Sequence, residues 1–335
     1  MVRNYSPGGW LVSNKTMMAV MRRWTLRVLA GLCGLIVIAA LTGATYQWLA
    51  TRKDLAATPP PGQLVDIGGY RLHLWCTGNG APAVILDTGL GGTAVGWDFV
   101  QPDVARFTRV CSYDRAGMGY SDPGRPPRTA RRIASELATL LDRSGMAGPV
   151  VLVGASIAGF NVRVFASDHP ERAAGLVLVD ASHEADAHEV PPIARFVPVL
   201  STVGLLRLLG VSFGQTGESL PPSVRRYAQA TRFRTAGYQA AADEILHIQE
   251  TVSEVRSSRR KLTIPVLVVT GARGADEHWR ELQQDLTSLS DQGCLVVAPQ
   301  SGHVVPIDQP EVVVNAIRSV VEAARNPLNA KACPP

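Results

Sequence analysis

Acidic residues are absent from the first 51 positions, which hold five basic residues: Arg3, Lys15, Arg22, Arg23 and Arg27. The whole chain has 33 Lys and Arg against 28 Asp and Glu, so this segment accounts for the entire formal charge of +5. The rest of the chain is formally neutral. Because binding to nucleic acid relies on clustered Lys and Arg that face phosphates, we expect no nucleic-acid partner.

Charge of either sign is also missing between Arg27 and Arg52. The uncharged run VLAGLCGLIVIAALTGATYQWLAT (28–51) is longer than the about 20 apolar residues that a helix needs to cross a bilayer. It predicts a transmembrane anchor over 28–51, preceded by a basic segment over 1–27. The alternative is a secretory signal cleaved at the small residues of 42–44, but the run exceeds the usual signal core of about 7 to 15 residues.

The basic residues around the span are unequal in number. Lys15, Arg22, Arg23 and Arg27 precede it, and only Arg52 and Lys53 follow closely. The positive-inside bias therefore favours a cytoplasmic N-terminus and an exported domain, with secretion after signal cleavage as the alternative. A proline-rich stretch then predicts a linker over 52–62.

The segment 63–325 alternates short apolar runs with longer helix-period stretches, which predicts an α/β fold. Eight candidate strands cover 64–67, 70–76, 83–87, 109–113, 149–153, 175–179, 265–270 and 294–298. Helices are predicted over 129–143, 157–168, 277–289 and 310–325. The tail over 326–335 is predicted to be flexible.

The interval 182–262 breaks this alternation, because it has five prolines and no convincing strand. It predicts a helical cap inserted between two strands. Its apolar run VPVLSTVGLLRLLGV (197–211) is compatible with core packing, a lid over a substrate or a surface that faces a membrane. Core packing is the preferred interpretation.

Ser156 lies in the run VVLVGASIAGF, directly after a predicted buried strand and before a helix. A sharp strand-to-helix turn needs small neighbours, and it presents a Ser hydroxyl near the positive end of the helix. Ala158 stands where this Gly-x-Ser-x-Gly pattern usually has its second Gly. The alternative is a Ser that only caps the helix.

His303 lies in VVAPQSGHVVPIDQP, in a loop between the last predicted strand and the last helix. Its position after Ser156 in the chain suits a general base, because a neutral imidazole accepts a Ser proton and returns it to a leaving group.

Two further stretches, AVILDTGLGG (83–92) and RVCSYDRAGMGYSD (109–122), resemble the third strand with its loop and the loop after the fourth strand of α/β-hydrolases. The resemblance covers about residues 63–325 and implies an eight-stranded, mostly parallel sheet with helices on both faces. It also implies that the backbone N–H groups of Leu90 and Ile157 form an oxyanion hole. Asp114 and Arg115 are expected to shape their loop.

Two carboxylates are candidates for the partner of His303. Asp180 follows the sixth strand, as in lipases that carry their acid there, whereas Asp276 follows the seventh with a spacing longer than usual. We favour Asp180 and keep Asp276 as the alternative.

The cluster His183, Glu184, Asp186, His188 and Glu189 does not have the spacing of a His-Glu-x-x-His metal site. The glycines after the third strand also lack the spacing of a dinucleotide fingerprint. We therefore expect neither a metal nor another cofactor.

The resemblance implies a serine esterase or lipase acting on a small-molecule acyl substrate, without excluding an amidase or thioesterase. Dehalogenases and epoxide hydrolases are disfavoured because these relatives carry Asp as the nucleophile. The rival interpretation is a non-catalytic protein of the same fold that binds a ligand or signals. Cys76 and Cys111 fall in the second and fourth strands, which are neighbours in this family. An exported domain would favour a disulfide between them, and two buried free thiols are the alternative.

Overall fold

The computed structural model describes residues 9–186, 189–212 and 220–326, with side chains from residue 16 onward. Eight strands form one sheet in the order β1-β2-β4-β3-β5-β6-β7-β8. Their bounds are β1 Gln63–Asp66, β2 Arg71–Thr77, β3 Ala83–Asp87, β4 Val110–Tyr113, β5 Val150–Ala155, β6 Ala173–Val179, β7 Val266–Gly271 and β8 Gly293–Ala298. Strand β2 runs antiparallel to its two neighbours, and every other neighbouring pair from β4 to β8 is parallel. The predicted sheet is confirmed.

Twelve α-helices occur in the described part of the chain, together with 3-10 turns at Ala94–Trp97, Pro170–Arg172 and Pro192–Arg195. They are α1 Gly9–Ala57, α2 Gln101–Val104, α3 Ala130–Arg143, α4 Ala158–Asp168, α5 Val197–Thr202, α6 Leu205–Leu208, α7 Pro222–Thr231, α8 Thr235–Leu246, α9 Ile248–Ser258, α10 Glu277–Thr287, α11 Val305–Asp308 and α12 Pro310–Arg325.

The sheet is buried on both faces, as near-continuous Val, Ile and Leu runs predict for parallel strands. Alternate residues of each strand belong to different cores: Leu152 packs with α3, α4 and α9, whereas Val151 and Val153 pack with α2 and α12. This three-layer arrangement holds the carboxyl ends of β5, β6 and β7 side by side.

Cys76 and Cys111 are register partners on β2 and β4 and are joined by a disulfide with Cα atoms 4.0 Å apart. The predicted bond is thus confirmed. It ties the antiparallel edge of the sheet to its parallel body.

Helices α5 to α8 and the described residues around them form the predicted insertion after β6, and no strand occurs in its described residues. Helix α9 differs from the prediction because it packs against α3 and α4, where Val252 and Val255 are buried in the main core. The predicted cap over 182–262 is therefore too long at its C-terminal end. The predicted tail beyond residue 326 lies outside the described residues.

Helix α1 is the one helix among the described residues that is long and apolar enough to cross a membrane, by length and composition. It continues to Ala57, so residues 52–57 are helical and the predicted linker is wrong for that part. The reason is tertiary: Arg207 of the cap contacts Gln47, Thr51 and Asp54 on the last turns of α1.

Candidate active site

Ser156 occupies the sharp turn between β5 and α4. Its φ of 54° lies in the left-handed region that non-glycine residues rarely adopt, and its N–H donates to the Val179 carbonyl at 3.1 Å. Such a conformation costs about 1 to 3 kcal/mol and persists where surrounding structure holds it in place. Here it lifts the hydroxyl clear of the backbone.

The small residues around Ser156 are required by close packing. A Cβ on Gly154 would lie 2.7 Å from the Ala158 carbonyl oxygen, and one on Gly159 would lie 2.6 Å from the Ala181 Cβ. Ala158, at the position usual for the second Gly of the pattern, is fully buried and fits. The departure from the pattern therefore leaves the turn intact.

Asp180 follows β6 and is held by three donors on one carboxylate oxygen. Oδ1 accepts from Thr270 Oγ1 at 2.7 Å, from the Gly271 N–H at 3.1 Å and from Trp279 Nε1 at 3.1 Å. Burial opposes ionisation, but the hydrogen bonds from His303, Thr270 and Trp279 outweigh it and lower the pKa of the Asp180 carboxyl below its usual value. Asp180 is therefore an anionic acceptor at neutral pH.

His303 lies between the other two side chains. Its Nδ1 is 2.6 Å from Asp180 Oδ2, and its Nε2 is 3.0 Å from Ser156 Oγ. With the proton on Nδ1, the imidazole donates to the carboxylate and leaves Nε2 to accept from the Ser hydroxyl. The structure thus brings the predicted residues Ser156, His303 and Asp180 into one hydrogen-bonded line.

The loop that carries His303 is held from two sides. The Gly302 N–H donates to Asp308 Oδ2 at 2.9 Å, and the Trp279 and His303 rings contact each other edge to face with centroids 6.2 Å apart. Gly271 permits the close approach of this loop, because a Cβ there would lie 2.1 Å from the Gly302 carbonyl oxygen.

Asp276, the alternative acid, has a different place. It is the N-cap of α10, and its Oδ1 accepts from the Trp279 N–H at 2.7 Å. It therefore orients the helix that presents Trp279 to Asp180, while the hydrogen bond to His303 comes from Asp180.

The loop after β3 is fixed by Arg115, which is fully buried. Its guanidinium pairs with Asp87 at 2.7 Å and with Glu244 of α8 at 2.9 Å, and it donates to the carbonyls of Thr88 and Gly89. Burial opposes its charge, but these two carboxylates raise the pKa of Arg115 well above its usual value. Sequence reasoning predicted that Arg115 shapes its own loop and missed Asp87 and Glu244. The one signal in the sequence was an acidic residue, Asp87, at the end of the buried strand β3.

Leu90 lines the same cavity as Ser156, and Ile157 follows Ser156 directly at the start of α4. In the described part of the chain, no hydrogen bond takes the N–H of either residue as donor. A cavity of about 580 Å³ opens beside Ser156, and its lining is largely apolar. The lining includes Leu90, Trp97, Val304, Pro306 and Ile307, along with Ser156 and His303.

The acidic and histidine cluster after β6 forms ion pairs. Glu184 pairs with the buried Arg163 at 2.7 Å and with Arg259 at 2.6 Å, and His183 Nε2 is 2.8 Å from Asp285 Oδ2. Among the described residues, no group of three or more His, Cys, Asp or Glu could hold a metal ion. His188 lies outside the described residues.

Known proteins share both the sequence pattern and the fold. A probable transporter, efuK, of Hormonema carpetanum is 26% identical over 77% of this chain and 42% of its own length. An AB hydrolase superfamily protein of Gibberella zeae is 25% identical over 73% of this chain and 87% of its own. The chain thus spans less than half of the first of these relatives.

Among solved structures, a thermophilic esterase from Thermogutta terrifontis superposes with a TM-score of 0.62 at 24% identity, covering 79% of this chain and 99% of that one. The model of the alpha/beta hydrolase family matches residues 84–316, from β3 to α12. This match spans most of the chain and includes the strand ends that carry Ser156, Asp180 and His303. The chain belongs to the alpha/beta hydrolase family.

Proposed function

We propose that this protein is a serine hydrolase that cleaves an ester-like acyl bond through Ser156, His303 and Asp180. The observation that carries the proposal is the unbroken line of contacts, 3.0 Å from Ser156 Oγ to His303 Nε2 and 2.6 Å from His303 Nδ1 to Asp180. A Ser at this position also separates the chain from relatives that open epoxides with an Asp nucleophile.

In the first half of the reaction, Ser156 Oγ attacks the acyl carbon while His303 Nε2 accepts the hydroxyl proton. Asp180 holds the imidazole in the required tautomer and stabilises the imidazolium. His303 then gives the proton to the leaving oxygen, and an acyl-enzyme forms. In the second half a water molecule repeats the sequence and releases the acid.

The backbone N–H groups of Leu90 and Ile157 are proposed to stabilise the oxyanion. Each such donor contributes about 3 to 4 kcal/mol to the transition state. The bonds from Arg115 to the Thr88 and Gly89 carbonyls fix the loop that carries one of these donors. The apolar lining of the adjoining cavity suits the hydrocarbon part of an acyl substrate.

Hydrolysis of p-nitrophenyl esters by the full chain tests this proposal. The expected result is that Ser156→Ala lowers kcat by several orders of magnitude, since the nucleophile is lost. Ser182→Ala, a second serine beside the site, is the matched control and should retain turnover. Equal turnover of Ser156→Ala and the wild type would refute the nucleophile, and no turnover by any form would favour a non-catalytic ligand-binding protein.

We also propose that α1 is retained as a single-pass anchor, with a cytoplasmic N-terminus and an exported catalytic domain. The basic residues before the span and the Cys76–Cys111 disulfide support this orientation. Retention is supported by packing, because Gln47 is buried and donates to the Phe233 carbonyl at 2.5 Å.

A further inference from the structure

The cap carries an amphipathic pair of short helices whose outer face has no partner in the described structure. On the inner side, Val197 and Leu206 are buried against Tyr238 and Ala242 of α8. The outer side exposes five large apolar residues, which we name the apolar cap face: Ile193, Phe196, Val199, Leu208 and Leu209. Their exposed fractions run from 58% to 77%.

Exposed apolar side chains that cluster on one face of a domain mark a site that binds another protein or a membrane. The sequence spacing is consistent with one exposed face. Ile193, Phe196 and Val199 follow each other at intervals of three residues, and Leu208 and Leu209 lie at the end of α6. Val197 and Leu206 therefore point the other way, into the core.

The cap is held directly against the C-terminal part of α1. A Cβ on Gly43 would lie 2.2 Å from the Val203 carbonyl oxygen, so the two backbones touch. Four residues further along both segments, Arg207 donates to Gln47 Oε1 at 2.8 Å, and it also pairs with Asp54 at 2.8 Å. The loop between α5 and α6 is thus fixed at a defined height on the helix.

That height lies in the outer part of the predicted membrane span over 28–51. About 20 residues counted from Val28 end near Gln47, and Gly43 lies about 6 Å inside that point at 1.5 Å per residue. Arg52 stacks on Trp48 with 4.7 Å between the guanidinium carbon and the ring centroid, as suits a Trp at the head-group level. A surface attached to Gly43 therefore meets the membrane boundary.

We propose that the apolar cap face inserts into the outer boundary of the bilayer that α1 crosses. The inference rests on the membrane anchor proposed above. The apolar side chains would replace water with acyl chains, and Arg195, which is exposed beside Ile193, would reach the head groups. The cap would then have two attachments to one membrane, one through α1 and one through its own surface.

Depth-dependent quenching of the full chain in phosphatidylcholine and phosphatidylglycerol vesicles tests this inference. All labelled variants carry Cys294→Ala and Cys333→Ala, and the cap and control variants also carry Cys33→Ala. Leu208→Cys is then labelled with an environment-sensitive nitrobenzoxadiazole maleimide. The remaining Cys76 and Cys111 are joined by a disulfide and do not react. We expect lipids that carry a doxyl group near the head group to quench most of the fluorescence of the label at 208. Aqueous iodide should quench it little.

The matched control is Val297→Cys on β8, an exposed apolar residue on the catalytic domain. Its label should respond to iodide and not to the doxyl lipid. Phe196→Cys serves as a second cap position, so the test does not depend on one variant. The inference is overturned if the labels at 208 and 196 behave like the label at 297. It is also overturned if these labels self-quench against each other, because the apolar cap face would then contact a second copy of the chain.

A label on the native Cys33 separates this outcome from failure of the anchor. Cys33 lies in the span, so an anchored chain shows quenching at Cys33 by lipids with the doxyl group deep in the acyl chain. Quenching at Cys33 without quenching at 208 refutes the cap insertion alone. Loss of both, with the protein no longer floating with the vesicles, refutes the anchor and the insertion together.

Discussion

At the residue scale, Ser156 and Asp180 share an unusual backbone. They are the non-glycine residues with positive φ in the described part of the chain, at 54° and 42°, and they directly follow the adjacent strands β5 and β6. Each conformation costs folding free energy, about 1 to 3 kcal/mol, that the neighbouring strands must offset. The cost falls on the two residues that flank His303, which supports their assignment to the proposed machinery.

The identity of the acid gives a residue-scale prediction. Asp180→Asn removes the anion that holds Nδ1 of His303, so kcat for a p-nitrophenyl ester should fall by about 10⁴-fold. KM should change little, because Asp180 lies behind the imidazole rather than against the substrate cavity. Steady-state kinetics of the full chain measures both.

Asp276→Asn is the matched control for that experiment. Asn also caps helices well, so α10 should keep its start and Trp279 its position. We expect kcat within a few-fold of the wild type. A larger loss at Asp276 than at Asp180 would move the acid to the seventh strand, and two small effects would remove both residues from the mechanism.

The sequence predicted which Ser and His to consider, because a small-residue turn after a buried strand and a His before the last helix have specific patterns. It left the acid open for a physical reason. A carboxylate that follows a strand and one that caps the next helix look alike in sequence, and only the positions of Thr270 and Trp279 separate them. The pairing of Asp87 and Glu244 with Arg115 was missed because partners 28 and 129 residues apart leave no local pattern that joins them.

At the element scale, sequence periodicity predicted the elements whose own residues show that they are buried. It failed where the boundary of an element depends on contacts with residues far away in the chain. The strands were predicted because β5 and β6 are unbroken apolar runs. The residues of α9 were placed in the cap because the interval 182–262 has no convincing strand. The spacing of Ile248, Val252 and Val255 gives an apolar face, but a sequence does not show what covers such a face. Helix α1 extends beyond residue 51, where the predicted anchor ends, because contacts with the cap stabilise its last turns. Sequence composition does not reveal such contacts.

The pair of Glu184 and Arg163 joins the loop after β6 to α4, and it gives a prediction about pH. Burial raises the pKa of Glu184, but the pairing with Arg163 outweighs this effect and places it well below its ordinary value of 4.5. A lowered folded-state pKa means that the pair stabilises the fold fully above about pH 4.5 and loses this contribution as pH falls toward the folded-state value.

Glu184→Gln should therefore lower the free energy of unfolding at neutral pH by about 3 to 5 kcal/mol, because the buried Arg163 loses its partner. The gap between wild type and variant should narrow as the pH is lowered from about 7 to about 3. Urea unfolding of both proteins in detergent micelles at several pH values measures this difference in the free energy of unfolding. Glu171→Gln, at an exposed acid in the 3-10 turn after α4, should leave the free energy of unfolding unchanged. A difference between Glu184→Gln and the wild type that stays constant with pH would argue against a stabilising ionised pair.

At the scale of the whole molecule, three attachments hold the cap in place. Glu244 pairs with Arg115 beneath the loop after β3, Arg207 pairs with Asp54 of α1, and the Arg128 N–H donates to Asp243 at 2.6 Å. Helix α1, the cap and the loop that carries Leu90 are therefore joined by direct contacts.

The topology makes a prediction about the cysteines of the native protein. An exported domain keeps the Cys76–Cys111 bond, since disulfides persist outside the reducing cytosol. Non-reducing peptide mapping of membrane-expressed protein, alkylated at lysis, should recover the two peptides joined while Cys33 is alkylated. Recovery of Cys76 and Cys111 as alkylated thiols would argue against export.

Fluorophosphonate labelling of the full chain in membranes is the sharpest test of whether Ser156 is a nucleophile activated by His303. We expect a single adduct on the peptide that contains Ser156, no adduct in Ser156→Ala, and greatly slowed labelling in His303→Ala. Unchanged labelling of Ser156→Ala, or an adduct on another residue of the wild type, would rule out this assignment.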